Sequence, residues 1–536
     1  MVAETLARLG HGTVFGLLGS GNFELVQHLV DHCDGRCVWV RHESAAVAAA
    51  TAYAQITRGV GVASVHQGPG VTNTMTSLTH AVRERAPVLL LAAEVAQGRR
   101  LNQSLDLAAL AAAAGAGVEQ VRDGFGVAHA AERAVREQRP IVLGLPIDVQ
   151  EQEATASEPA PLGPLDTPRA RPPAADVAAA ADLVQRSARP LILAGRGAVL
   201  AEARAALEAL GDRIGALFAT SLVANGLFAG NPLSLGVCGG FASKLAERVV
   251  RQADLVLAFG ASLNQWTTMH GTLIADAAVV QADSDPAAIG RDRLGLVGDA
   301  AETAEALLDE LERRGHTAAG FRGGAVEQDV RAYRAADDYD EVHADDLLDP
   351  RSLAVALDRS LPAERTVVYD GGHFHWFPTP YLSVPDAAGF VAAQGFQAVG
   401  LGLGTAIGAA VARPERPVLL LVGDGGTMMS LGELDTLVGQ RLPVVVAIFN
   451  DGAYGAEVHH FGPMGLPTDL VTFGDRDFAA VARDLGARAA TIRSTEEVAG
   501  AVEPWLAERD GPLVLDCKVN PDVVAERLAE AFRGGG

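Results

Sequence analysis

The residues with the clearest chemical promise lie in one C-terminal stretch, PVLLLVGDGGTMMSLGELDTLVGQRLPVVVAIFNDGAYGAE. An apolar run, Val418–Val422, leads into Gly423-Asp424-Gly425-Gly426. A helix of about three turns is predicted next, and a second apolar run, Val444–Phe449, ends at Asn450-Asp451. In a right-handed strand–helix–strand unit both strands end at the same edge of the sheet. Asp424 and Asp451, 27 residues apart, are therefore expected to meet. Two oxygen ligands at adjacent strand ends suit a hard cation such as Mg²⁺, which takes few protein groups and leaves positions for phosphate oxygens. Gly425 and Gly426 let backbone N–H groups approach a diphosphate, and the following helix start adds a favourable dipole. For GDG alone, a tight turn with a capping aspartate is the plainer account. Joined to Asn-Asp across a complete unit, the cation site is preferred.

Other candidates are single residues. Glu43 is expected to end the strand CVWVRHE and to precede an alanine-rich helix, where an acid also simply favours a helix start. Ser20 lies in FGLLGSGNFEL. GSGNFE is half of a dinucleotide fingerprint, but Glu24 stands in place of the third glycine and no acid follows at the right strand end. His66 opens the loop HQGPGVTN after GVASV, and histidine is the side chain that exchanges protons near neutrality. Glu457 comes six residues after Asp451, with His459 and His460 on the same predicted helix. Gln103 is a weak further candidate for facing inward.

Positioning these groups requires α/β domains. Apolar runs alternate with amphipathic stretches in three blocks, predicting three parallel-sheet domains at 1–155, 175–318 and 345–530. Polar, proline-marked linkers fall near 150–175 and 320–350, the second with some helical character. The first and third blocks look architecturally alike. The chain has 536 residues, 49% of them hydrophobic, with 43 basic against 66 acidic side chains and a net charge of -23. That acidity argues against a nucleic-acid or anionic-membrane partner. Cys33 and Cys37 form too sparse a pair for a zinc site, and reduced, buried thiols in a cytoplasmic protein are expected. The N-terminus carries no signal-peptide pattern. Between Asp386 and Arg413 lie 26 uncharged residues, long enough to cross a bilayer. Gln394, Gln397 and many glycines instead indicate a buried loop and helix.

In these motifs the chain resembles thiamine-diphosphate enzymes of the acetolactate synthase, benzoylformate decarboxylase and pyruvate decarboxylase type. The resemblance spans nearly the whole length and includes VVQADSDPAAIGR in the middle block. It implies a pyrimidine-binding domain, a Rossmann-like middle domain and a diphosphate-binding domain. It also implies thiamine diphosphate and Mg²⁺ as cofactors, with Asp424, Asp451 and the Ala453 carbonyl as metal ligands. Gly372 and His373 in GGHFHW, with Gly423, Gly425, Gly426 and Tyr454, match positions near the diphosphate. Val399 matches the wedge under the bent cofactor, and the Gln397 carbonyl an acceptor for its amino group. Relatives often have glycine at position 397 and a larger residue at 399. Glu43 matches the glutamate that hydrogen-bonds the pyrimidine, acting across a subunit interface in a homodimer or homotetramer.

Ser20 and His66 match benzoylformate decarboxylase residues, whereas Glu457 matches one of pyruvate decarboxylase. No arginine clamp for an acidic acceptor is evident. The resemblance implies a 2-oxo acid and/or aldehyde substrate. Acetolactate-synthase-like carboligation after decarboxylation is the expected activity. A decarboxylase releasing an aldehyde, a benzaldehyde-lyase-like 2-hydroxy ketone lyase and a non-catalytic scaffold are alternatives. Some relatives bind FAD in the middle domain, but Leu191–Val199 is too generic to assign it.

Overall fold

Strands buried on both faces need helices on both sides of the sheet, and the chain is built so three times. In the computed structural model, residues 2–99, 101–121, 125–152, 169–525 and 527 are described. The domain limits expected at 155 and 530, and most of the first linker, lie outside them.

The first sheet comprises β1 (Thr13–Gly16), β2 (Arg36–Trp39), β3 (Gly61–Val65), β4 (Val88–Glu94), β5 (Gly117–Gln120) and β6 (Ile141–Pro146). The second comprises β7 (Pro190–Ala194), β8 (Leu217–Thr220), β9 (Ser234–Val237), β10 (Leu255–Phe259), β11 (Ala278–Asp283) and β12 (Leu294–Val297). The third comprises β13 (Thr366–Tyr369), β14 (Phe390–Ala392), β15 (Val418–Gly423), β16 (Val444–Asn450), β17 (Arg488–Ile492) and β18 (Leu513–Lys518). All pairings are parallel. The strand orders are β2-β1-β3-β4-β6-β5, β12-β11-β10-β7-β8-β9 and β14-β13-β15-β16-β18-β17. The outer two sheets thus share one order, which is the expected likeness of the first and third blocks. The middle sheet follows the dinucleotide-fold order. Its glycine loop is taken up by packing: Gly197 N–H donates to Gly260 O at 3.0 Å, and a Cβ on Gly195 would strike Gly260 and Ala261. Arg196, between these glycines, pairs with Glu84 of the first domain. These contacts add no support for a flavin.

The 26-residue uncharged run resolves into β14, a loop and the helix Gly402–Ala412. Among the described residues no helix is long and apolar enough to cross a membrane. Instead this helix packs against the alanine-rich helix Glu43–Thr57, so one apolar core joins the first and third domains. Glycine makes the approach close. A Cβ at Gly408 would collide with the Ala49 carbonyl oxygen, and one at Gly404 would lie 2.9 Å from Ala45 Cα. Gly408→Ala is accordingly expected to destabilise the protein by about 1–3 kcal/mol, read as a lower denaturant midpoint, even though alanine favours helix.

Two details differ from expectation. The single helix expected after Gly426 begins earlier, at Asp424, and the turn at Ser430–Gly432 breaks it into Asp424–Met429 and Glu433–Gly439. Strand β2 stops at Trp39, and Glu43 is the first residue of a helix capped by His42, whose Nδ1 accepts from Ser44 N–H at 3.1 Å. Cys33, Cys37, Cys238 and Cys517 are free thiols; Cys238 and Cys517 are buried as expected, whereas Cys33 and Cys37 are only half-buried.

Candidate active site

The register Val418↔Val444 through Gly423↔Phe449 sets the ends of β15 and β16 side by side. Asp424 opens the helix after β15 and Asp451 follows β16. Both are largely buried, and burial raises both carboxyls above the usual range. For Asp424, the charge of Asp451 raises it further. Asp424 Oδ1 accepts from Gly425 N–H at 2.9 Å, while its buried Oδ2 has no partner. A buried carboxylate pair with an idle oxygen is costly unless a cation joins it. The arrangement fits Mg²⁺. Among the described residues no group of three or more His, Cys, Asp or Glu forms a metal cage. Two carboxylates plus the backbone of Ala453 make a smaller donor set of the sort Mg²⁺ takes.

The turn carrying Ala453 is sewn to a following loop. Tyr454 N–H donates to Val471 O at 2.9 Å, and Phe473 N–H to Gly452 O at 2.8 Å. Beneath it, Asn450 Nδ2 donates to Asp516 Oδ1 at 2.8 Å, and Lys518 Nζ lies 2.9 Å from Asp516 Oδ2 and also pairs with Asp475. His373 is nearly buried, its Nε2 3.6 Å from Asp451 Oδ2 and its ring against His459. Burial first, then the neighbouring His459 and His375, pushes its pKa down to about 3. It therefore stays neutral beside the pair. A Cβ on Gly425 would enter the Tyr454 ring, and one on Gly426 would enter the Asp370 carboxylate and lie 3.3 Å from Val399 Cγ1.

Asp370 was not anticipated. Fully buried at the end of β13, it accepts from Gly400, Leu401 and Gly402 N–H at 2.9–3.1 Å, so it anchors the backbone next to Val399. Burial raises its carboxyl to about 6 against those opposing bonds. An acid at a strand end followed by two glycines was the available signal. Val399 is 38% exposed, presenting an apolar side chain beside the Gly425-Gly426 turn. Gln397 has φ 55, a left-handed conformation that glycine adopts without cost and glutamine does not. Its exposed side chain makes the substitution safe. Gln397→Gly is expected to raise stability by about 1 kcal/mol, measured as a shift in thermal or chemical unfolding.

The first domain gathers the other candidates. Glu43 Oε2 accepts from Asn73 Nδ2 at 3.0 Å, and the residue is 8% exposed. A Cβ on Gly70 would touch both His66 Cβ (3.4 Å) and Glu43 Oε1 (3.5 Å), which places these two side chains around one glycine. His66 Nδ1 accepts from Gly21 N–H at 3.1 Å, which leaves its proton on Nε2 in the neutral ring. Gln67 Nε2 donates to Gln103 Oε1 at 2.9 Å. Ser20 is exposed at the tip of the neighbouring loop. Glu457 is exposed on the helix Gly455–Phe461, whereas His459 turns inward and His459 Nε2 lies 2.8 Å from Pro521 O.

The structure therefore forms two groups at strand ends. One holds Asp424, Asp451, Ala453, His373, Gly372, Gly425, Gly426, Val399 and Tyr454; the other holds Glu43, His66 and Gln103 with Ser20 nearby. Among the described residues, no hydrogen bond or ion pair joins a residue of the first group to one of the second.

A family model described as the N-terminal TPP-binding domain of thiamine pyrophosphate enzymes matches residues 1–128. The central-domain model matches 177–307, and the C-terminal TPP-binding domain model matches 370–517. The chain is 29% identical to an acetolactate synthase large subunit of Parasynechococcus marenigrum, over 92% of this chain and 83% of that protein. It is 26% identical to the acetolactate synthase large subunit of Corynebacterium glutamicum, over 97% and 86%. It is also 28% identical to a sulfoacetaldehyde acetyltransferase of Rhodobacter capsulatus, over 99% and 94%.

Proposed function

The chain belongs to the thiamine pyrophosphate enzyme family, and on that premise we propose that it is a Mg²⁺- and thiamine-diphosphate-dependent carboligase acting after decarboxylation of a 2-oxo acid. The observation that carries the cofactor part of this reading is the buried Asp424–Asp451 pair with its unpartnered oxygen. Relatives named as synthases and an acetyltransferase favour bond formation over simple decarboxylation.

When bound, the cofactor supplies a nucleophilic carbon and an electron sink for breaking and making bonds beside a carbonyl. Asp424, Asp451 and the Ala453 carbonyl would hold Mg²⁺. Backbone N–H groups around Gly425 and Gly426, with Gly372 and His373, would take the diphosphate. Val399 and the Gln397 carbonyl would face the rings. Glu43 would exchange a proton at the pyrimidine nitrogen. Neutral His66 would offer Nε2–H to a substrate oxygen, held in that tautomer by Gly21. Ser20 and Glu457 would line the approach.

The working site on this reading is shared in a homodimer or homotetramer, with Glu43 from one subunit meeting Asp424 of the other; that no hydrogen bond or ion pair joins the two groups among the described residues of one chain supports it. Apolar side chains exposed at the third domain's strand ends, Val399, Met428, Met429 and Tyr454, support a covering subunit. Free thiols fit a cytoplasmic setting.

A panel of 2-oxo acids, with and without aldehyde or oxo-acid acceptors, followed by mass spectrometry tests the reaction. Coupled product with CO₂ release is expected. Release of CO₂ and aldehyde alone would make it a decarboxylase, and coupling without CO₂ a hydroxy-ketone lyase.

A further inference from the structure

Glu433 is a buried acid, 1% exposed, that the chemistry above does not use. It stands nine residues after Asp424 on the segment leading from the metal turn. Yet its main partners belong to the first domain. Its Oε1 accepts from Arg41 N–H at 3.0 Å and His42 N–H at 2.9 Å, while Oε2 accepts from Thr436 Oγ1 at 2.8 Å. The surrounding contacts run the same way. Arg41 Nε donates to Asp435 Oδ2 at 2.6 Å, and the guanidinium lies 4.5 Å above the Trp39 ring. Trp39 in turn packs on Gly439, where a Cβ would strike the indole. A helix-start acid needs none of these first-domain partners, since Thr436 lies on its own helix.

The two amides that Glu433 holds come immediately before Glu43, and His42 caps the helix that Glu43 opens. Fixing both amides fixes where that helix begins and hence where the Glu43 carboxyl sits. Hydrogen bonds from backbone N–H to a buried carboxylate are charge-assisted, and they are correspondingly strong.

We propose that Glu433 is a positioning residue for Glu43 of its own chain. The inference rests on the shared-site reading above. There, Glu43 serves the cofactor bound by Asp424 of the partner subunit, so Glu433 links the metal-binding segment of one active site to the acid of the other.

Hybrid dimers carrying two affinity tags test this. A Glu43→Gln chain paired with an Asp424→Ala chain should keep about half of wild-type activity, because one site retains both groups. An inactive hybrid would contradict shared sites, not the positioning role. Glu433→Gln is then added to either chain of a dimer pairing Asp424→Ala with wild type. The surviving site uses Glu43 of the Asp424→Ala chain. Glu433→Gln on that chain should lower activity about tenfold or more, and on the other chain leave it within about twofold. The reverse pattern, or equal losses, would overturn the proposal. Amide hydrogen exchange of the cofactor-free Glu433→Gln protein supplies an independent arm. The Arg41 and His42 amides should exchange about tenfold faster or more; unchanged protection there would also overturn it, whatever the hybrids show.

Discussion

Replacing Glu43 by glutamine is expected to lower turnover by roughly 10²- to 10⁴-fold, the usual contribution of a positioned acid–base group. Glutamine keeps the shape and can still pair with Asn73, which now donates to Glu43 Oε2 at 3.0 Å. It cannot exchange a proton. Assembly and Mg²⁺-dependent diphosphate binding should therefore persist, since Asp424, Asp451 and the glycine turns lie on the third domain. Size-exclusion chromatography and cofactor titration alongside the rate assay check this. An inactive but assembled protein excludes the scaffold alternative. Full activity in Glu43→Gln would remove Glu43 from the mechanism.

The second large effect concerns Asp424. Asp424→Asn is expected to weaken Mg²⁺-supported cofactor binding by more than about 100-fold, because even groups one step removed from a metal cost 10–100-fold. The same change should stabilise the cofactor-free protein by about 1 kcal/mol above neutral pH, because it removes a desolvated charge facing Asp451. Opposite signs for binding and apo stability would mark a functional carboxylate pair. A loss in both would make Asp424 a structural cap for the helix Asp424–Met429.

Much of this site was legible in the sequence because its parts are local to one strand–helix–strand unit. Gly423↔Phe449 pairing brings Asp424 and Asp451 together, as the spacing of GDGG and Asn-Asp required. The departure at Gln397 was visible as a side chain where relatives often have glycine, and its φ of 55 gives that departure a physical cost. What escaped were partners distant in sequence. Glu433 bonds Arg41 across 392 residues, and although Gly432 marks the helix break in the sequence, nothing local shows that the break delivers Glu433 to the first domain. Lys518 and Asp516 look like ordinary strand polarity until their strand is set beside Asn450. Short strands such as β5, β9 and β14 carry too short an apolar run to read from sequence. They are edge strands of three or four residues, and their pairing rather than their composition defines them. Asp370 was passed over because its four accepted bonds come from a loop 30 residues on.

The most direct test of the central claim is calorimetric titration of the purified, metal-stripped protein with thiamine diphosphate, with and without Mg²⁺. Saturable binding that requires Mg²⁺ and is lost in Asp424→Asn is the expected result. Absence of binding, or binding indifferent to Mg²⁺ and to Asp424, would contradict it.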